Sequence, residues 1–175
     1  MSSVDLMLLG ALMKKSMSAY EMKKDMEFKN IQAWVKVSSP SIFKNLLKLH
    51  QSGFIDGEVV REGEMPEKTV YTINEKGKAR FVELMQQYSE NHGSIYIDFA
   101  AFLANLDHLD RETGIRMIEG LQKNFNGKID IIKQHRALKG GVSKHALAIL
   151  DFYLYTYEMF TEWISEFETR YREDL

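Results

Sequence analysis

Ser38-Ser39-Pro40-Ser41-Ile42-Phe43-Lys44-Asn45-Leu46-Leu47-Lys48-Leu49-His50-Gln51-Ser52-Gly53-Phe54 is the stretch whose reading decides the fold. Ser39 stands where an N-cap belongs, Pro40 where a missing amide hydrogen costs nothing, and Gly53 where the chain must leave, which predicts a helix over about 40–52. Ile42, Leu46 and Leu49 recur at i, i+4, i+7 and form a core stripe. Ser41, Lys44, Asn45, Lys48 and Ser52 fall on another face, which is polar and carries no acid.

Working outward, Val4, Leu6, Leu8, Leu9 and Leu12 predict a short apolar helix that ends in Lys14-Lys15. Ser18-Ala19-Tyr20-Glu21 is a capping box, and the helix it opens turns Ala19, Met22 and Met26 inward. On the other side, Phe54 to Val60 and Val70 to Ile73 are β-rich, separated by the polar, breaker-rich segment 61–68. Asn74 can cap a further helix through Tyr88 with Phe81, Leu84, Met85 and Tyr88 at core spacing. Helix, helix, helix, hairpin and helix is the order of a winged helix-turn-helix. The expected fold is mainly α: an N-terminal winged helix-turn-helix with a small β-hairpin wing (residues 1–90) and a C-terminal long-helix dimerisation and effector region (residues 91–175).

Asp110 can cap a long helix on which Ile118, Leu121, Phe125, Ile129 and Ile132 repeat at three and four, and Gly140-Gly141 breaks it from a last helix starting near Ser143. On that last helix Leu150, Tyr153, Tyr157, Phe160, Ile164 and Phe167 alternate spacings of three and four, the pattern of a helix–helix seam. Ile149, Phe152, Met159 and Trp163 add a second apolar row. So much apolar surface on one helix predicts burial against the long helix before it and against a second subunit, hence a homodimer.

Composition narrows the chemistry. The 175 residues are 45% hydrophobic and 27% charged, enough for a sizeable core. The net charge is −2, but residues 1–55 hold eight lysines against Asp5, Glu21, Asp25 and Glu27, a net of +4 that leaves −6 for the rest. With no cysteine, disulfides, thiol catalysis and Cys-ligated metals are out. The five histidines show no ligand spacing, and no GxSxG, GxGxxG or Walker sequence occurs, so neither metal, cofactor nor enzymatic activity is expected. The apolar run in Met1–Gly10 is interrupted by Asp5 and lacks a basic lead, and nothing approaches a membrane span, so a soluble, cytoplasmic chain is expected.

The predicted third helix has what entry into a DNA major groove requires. Ser41 and Asn45 suit base edges, Lys44 and Lys48 suit phosphate or guanine, and Lys36, Ser38 and Ser39 lie just upstream to clasp the backbone. In the wing, Lys68 and Thr69 are the candidates, opposed by Glu62, Glu64 and Glu67 in the same loop. A basic helical stripe is also an ordinary solvated face, and a winged-helix module that docks a protein and binds no DNA is the competing reading.

These residues resemble the PadR-type transcriptional regulators: Trp34 through Leu46, then Gly53-Phe54-Ile55, then Tyr71-Thr72-Ile73-Asn74-Glu75-Lys76-Gly77, with Ala19-Tyr20-Glu21 upstream. The resemblance is close over about the first 80 residues, and the helical rear is similar to the subgroup that includes virulence activators. Ala19 stands where the family usually has Gly, Phe43 where it has Tyr, and Asn74 where it has Thr. The resemblance implies a repressor dimerised through its C-terminal helices on double-stranded operator DNA, with Tyr20 and Phe43 among the contacts if they face outward. It further implies release by a small aromatic effector but gives it no address; Trp34, Phe99, Phe102 and Trp163 are candidate pocket residues by their rings alone, with core and dimer packing the favoured account of any one of them.

Overall fold

A computed structural model describes residues 2–61, 66–91, 93–137 and 143–173. The expected Gly140-Gly141 break, and Glu62 and Glu64 of the wing, lie outside the described residues. The chain divides into two compact units, Met1–Ile95 and Tyr96–Leu175.

The front unit contains α1 (Ser3–Leu12), β1 (Met17–Ser18), α2 (Ala19–Phe28), α3 (Ser39–Gln51), β2 (Ile55–Val60), β3 (Lys68–Ile73) and α4 (Glu75–Glu90). The fold is the mainly helical winged helix expected from the element order. Leu8, Leu9, Met22, Ile42, Leu46 and Leu84, one or two from each helix, are fully buried together. The expected core face of α4 is corrected at Met85, which is half exposed while Leu84 is buried.

Two local details differ from the sequence reading. Ser38, not Ser39, caps α3: its Oγ accepts from the Ser41 amide at 3.4 Å, while its own amide donates to Ser41 Oγ at 2.9 Å. Proline tolerates either of the first two helical positions, since neither amide has an intrahelical acceptor, so Pro40 could not fix the cap to one residue. The second difference is β1. The sheet has three strands in the order β1-β3-β2, all antiparallel, with Met17 opposite Tyr71 and Ile55 opposite Ile73.

α3 ends as Gly53 predicts. Gly53 adopts φ +72°, and the Phe54 amide reaches back to the Leu49 carbonyl at 3.0 Å while the Gly53 amide reaches His50 at 2.9 Å. The turn aims Phe54 and β2 back along the core. Asn74 then fastens the sheet to α4, accepting from the Gly77 amide at 3.0 Å and donating to the Gly53 carbonyl and Asp56 Oδ1, each at 3.1 Å. Gly77 must lack a side chain, because a Cβ there would run into the Phe54 carbonyl.

The rear unit contains the short α5 (Ala100–Leu103), a 3-10 turn at Leu106–His108, α6 (Arg111–Ala137) and α7 (Lys144–Glu173). Asp110 accepts from the Thr113 amide at 2.9 Å and Ser143 from the Ala146 amide at 3.2 Å, so both long helices begin on the caps that the sequence suggests. Ion pairs Glu119–Arg172, Lys133–Glu158 and Arg136–Asp151 run in opposite sequence directions and show α6 and α7 to be antiparallel. Between them lie Ile118, Phe125 and Ile164, then Ile129, Ile132 and Leu154. Tyr171 closes one end of the seam, its hydroxyl occupying the space that a side chain at Gly114 would need.

Candidate nucleic-acid interface

With Ile42, Leu46 and Leu49 buried, the helical repeat turns Phe43, Lys44, Leu47 and Lys48 of α3 outward. The outward face is therefore less polar than expected, because Phe43 and Leu47 are each about half exposed beside the lysines. Ser41 and Asn45 are half-buried and already engaged: Ser41 Oγ donates to the Ser38 carbonyl at 2.7 Å, and Asn45 Nδ2 donates to the Ser41 carbonyl at 2.7 Å. These bonds preorganise the first turn of α3, and each side chain keeps oxygen lone pairs as acceptors. Ser39 is half-buried, while Lys36 and Ser38 are exposed on the strand of chain leading into the helix.

The four lysines singled out by sequence differ in their surroundings. No carboxylate of the described residues pairs with Lys36 or Lys44. Lys48 Nζ lies 3.7 Å from Asp5 Oδ2, and Lys68 Nζ lies 3.6 Å from Glu21 Oε1. Glu21 in turn accepts from the Ser18 amide at 2.7 Å and the Ser18 hydroxyl at 2.8 Å, so the capping box of α2 also anchors the start of the wing strand. The Ser18 amide, then its hydroxyl and the nearby Lys68, hold the Glu21 carboxyl below its ordinary value.

Tyr20 and Phe43 face away from the core, at 61% and 50% exposure. They border a cleft of about 450 Å³ whose other walls include Glu21, Lys68, Thr69 and Tyr71. Four residues chosen from three separate places in the sequence thus meet in one depression between the start of α2, the outer face of α3 and the root of β3. Lys24 lies over the Tyr20 ring at 5.6 Å and adds a cation at its rim. Sequence reasoning missed Tyr71 as a wall of this cleft and Asp5 as a neighbour of Lys48. Tyr71 sits opposite β1 in the register, but Asp5 left a trace only as the interruption in an apolar run.

In the rear unit, Leu150, Tyr153, Tyr157, Phe160, Ile164 and Phe167, expected at a dimer interface, all pack in the clusters between α6 and α7. Ile164 is fully covered within the chain and is corrected to a core residue. Spacing of three and four reports a seam but not which helix fills it. Phe152, Tyr155 and Met159 form a different row of α7, and all three are more than half exposed.

Phe99 meets Phe125 and Phe160 edge to face, each at 5.3 Å, and Trp163 at 6.0 Å, with Phe102 in the same cluster. Trp34 packs instead on the core of the front unit. Burial, and then neighbouring Tyr157, push the Tyr153 hydroxyl up in pKa.

Comparison with known proteins places this geometry in a setting. Residues 8–83 match the model of the transcriptional regulator PadR-like family. None of the curated proteins compared with the chain by sequence is similar to it. Among solved structures, Bacillus subtilis PadR in complex with operator DNA is similar at 18% identity and a TM-score of 0.78, over 97% of this chain and 99% of that one. Bacillus subtilis PadR in complex with p-coumaric acid gives 16% identity and 0.79, over 98% and 99%. The Vibrio cholerae virulence activator AphA gives 17% and 0.71, over 99% and 100%. At these identities the likeness concerns the fold.

Proposed function

From the premise that residues 8–83 form a domain of the transcriptional regulator PadR-like family, we propose that the chain is a DNA-binding transcriptional regulator acting as a homodimer on double-stranded operator DNA. The observation that carries this reading is the convergence on one face of Lys44, Ser41 and Asn45 on a capped helix with the Tyr20, Phe43, Thr69 cleft beside it. A helix of this kind enters the major groove with its N-terminal residues at the base edges. Lys36, Ser38 and Ser39 then hold the adjoining backbone, Tyr20 offers a hydroxyl to a phosphate, and Phe43 supplies an apolar surface to sugar or thymine methyl. Lys68 and Thr69 bring the wing to the same phosphates. No helix among the described residues is long and apolar enough to cross a membrane.

The exposed row of Phe152, Tyr155 and Met159 offers a surface for dimerisation, and a dimer carries two α3 helices, which suits an operator whose half-sites lie one helical turn, about 34 Å, apart. Repression is the simplest sign of regulation for a protein that occupies an operator. A small aromatic effector is part of the proposal because the rear unit holds a nest of rings, including Phe99, Phe102 and Trp163, next to tyrosine hydroxyls. Such an effector has to part rings already in contact and so favours a different packing of α5 on α6 and α7.

The experiment is the salt dependence of DNA binding by the wild type and by Lys44→Ala and Lys36→Ala. Each loss of a phosphate contact should lower affinity and flatten the log–log salt slope by about 0.9. If the front unit is a protein-docking module, no salt-steep binding will exist for the substitutions to weaken.

A further inference from the structure

α1 buries one carboxylate that its packing does not explain. Asp5 lies on α1 with its side chain 10% exposed, and its Oδ1 finds no hydrogen-bond partner among the described residues. Its amide donates to the Ser2 hydroxyl at 3.1 Å, which satisfies the backbone and leaves the carboxylate aside. The cation beside it is Lys48 of α3, whose own side chain is 64% exposed and whose Nζ stands 3.7 Å from Asp5 Oδ2. That separation is long for a charge-assisted hydrogen bond, so the attraction is electrostatic and leaves the ammonium able to swing away.

A carboxylate withdrawn from water depends on its cation far more than an exposed lysine depends on a carboxylate. If a DNA phosphate draws Lys48 outward, Asp5 is left buried and uncompensated, and the cost is charged to the complex. Lys44, one turn earlier on the same face, has no such carboxylate partner among the described residues. We propose that Asp5 is a positioning residue that withholds Lys48 from phosphate, holding DNA affinity below what the charge on α3 allows and concentrating contact on the N-terminal half of that helix. This rests on the reading of α3 as the helix that meets DNA.

The test is a double-mutant cycle of wild type, Asp5→Asn, Lys48→Gln and the pair, read by fluorescence anisotropy on a labelled mixed-sequence duplex at several salt concentrations, with circular dichroism to verify folding. Asp5→Asn should tighten binding on the order of five- to tenfold near ~0.1 M salt and steepen the slope by about 0.9, the effect of one added phosphate contact. Lys48→Gln should abolish that gain in the Asp5→Asn background and cost less in the wild type. Equal costs in both backgrounds would overturn the proposal. So would a gain that survives in the double variant, which reports only the loss of a negative charge near DNA. Should Asp5→Asn fail to fold, Lys48→Gln compared with Lys44→Gln in the wild-type chain decides the matter: a smaller change of slope at Lys48 supports the proposal, and equal changes overturn it. Absence of salt-dependent binding by the wild type itself would instead remove the DNA reading, and the proposal with it.

Discussion

Single residues carry two constraints that can be measured without DNA. Gly77 sits in the first turn of α4 against the Phe54 carbonyl, so Gly77→Ala forces backbone apart where the helix meets the α3–β2 turn. It should lower the free energy of unfolding in urea by about 1–3 kcal/mol, as overpacking generally does, and an unchanged midpoint would show the contact to be slack. Glu21 makes a pH-dependent contribution. Its folded carboxyl is held below the ordinary value of 4.5, so the stabilisation is fully present above that value and is lost as pH falls through the lowered one. Acid unfolding of Glu21→Gln should therefore show a shallower loss of stability below about pH 4.5 than the wild type, with the two curves parallel at neutral pH. The capping box itself was legible from Ser18 and Glu21 because its members are three residues apart. Asp5 and Lys48 were not legible as a pair, because nothing local joins residues on two helices with a third between them.

At the scale of the element, legibility follows the range of the interaction. The periodic helices α3, α6 and α7 were readable because each buries a stripe whose spacing is written in its own residues. β1 was not, since Met17-Ser18 is a two-residue strand that exists only because β3, more than 50 positions later, pairs with it. Ser18 was recognised as a cap and is in fact both cap and strand end. The start of α3 was misplaced by one residue, with Ser38 and Ser39 chemically alike and the proline acceptable after either. Ser38→Ala should cost about 1 kcal/mol by thermal melting, whereas Ser39→Ala, at a position whose side chain does not cap, should cost clearly less. A larger cost at Ser39 than at Ser38 would return the cap to Ser39. On α7, Ile164→Ala opens a cavity in the seam with α6 and should destabilise the rear unit by about 2–5 kcal/mol, and a negligible effect would show that the seam is not the core of that unit.

For the whole molecule, the change in composition along the sequence follows the division into two compact units, the lysine-rich front lying in Met1–Ile95 and the aromatic last helix in Tyr96–Leu175. Which residues of α7 meet a second subunit is a separate question. A sequence pattern cannot distinguish the intrachain seam from one between chains, and the chain's own α6 took the stripe that fitted both. The exposed row leads to a separate expectation: Phe152→Ser with Met159→Ser should shift sedimentation from dimer to monomer while leaving helical content intact. A dimer that survives both changes would move the interface elsewhere. The cleft shows the opposite lesson. Tyr20 and Phe43, named through the family resemblance, and Lys68 and Thr69, named from the wing, line one cleft although they are far apart in sequence.

The central claim, that the front unit reads operator DNA, is tested most directly by fluorescence anisotropy of the full-length wild-type protein on the duplex immediately upstream of its own gene and on a scrambled duplex of equal composition, each titrated across salt. The account predicts tighter binding to the upstream duplex and a steep negative dependence of log affinity on log salt for both. Weak, salt-insensitive association with both duplexes, repeated with fragments selected from the whole genome, would contradict it.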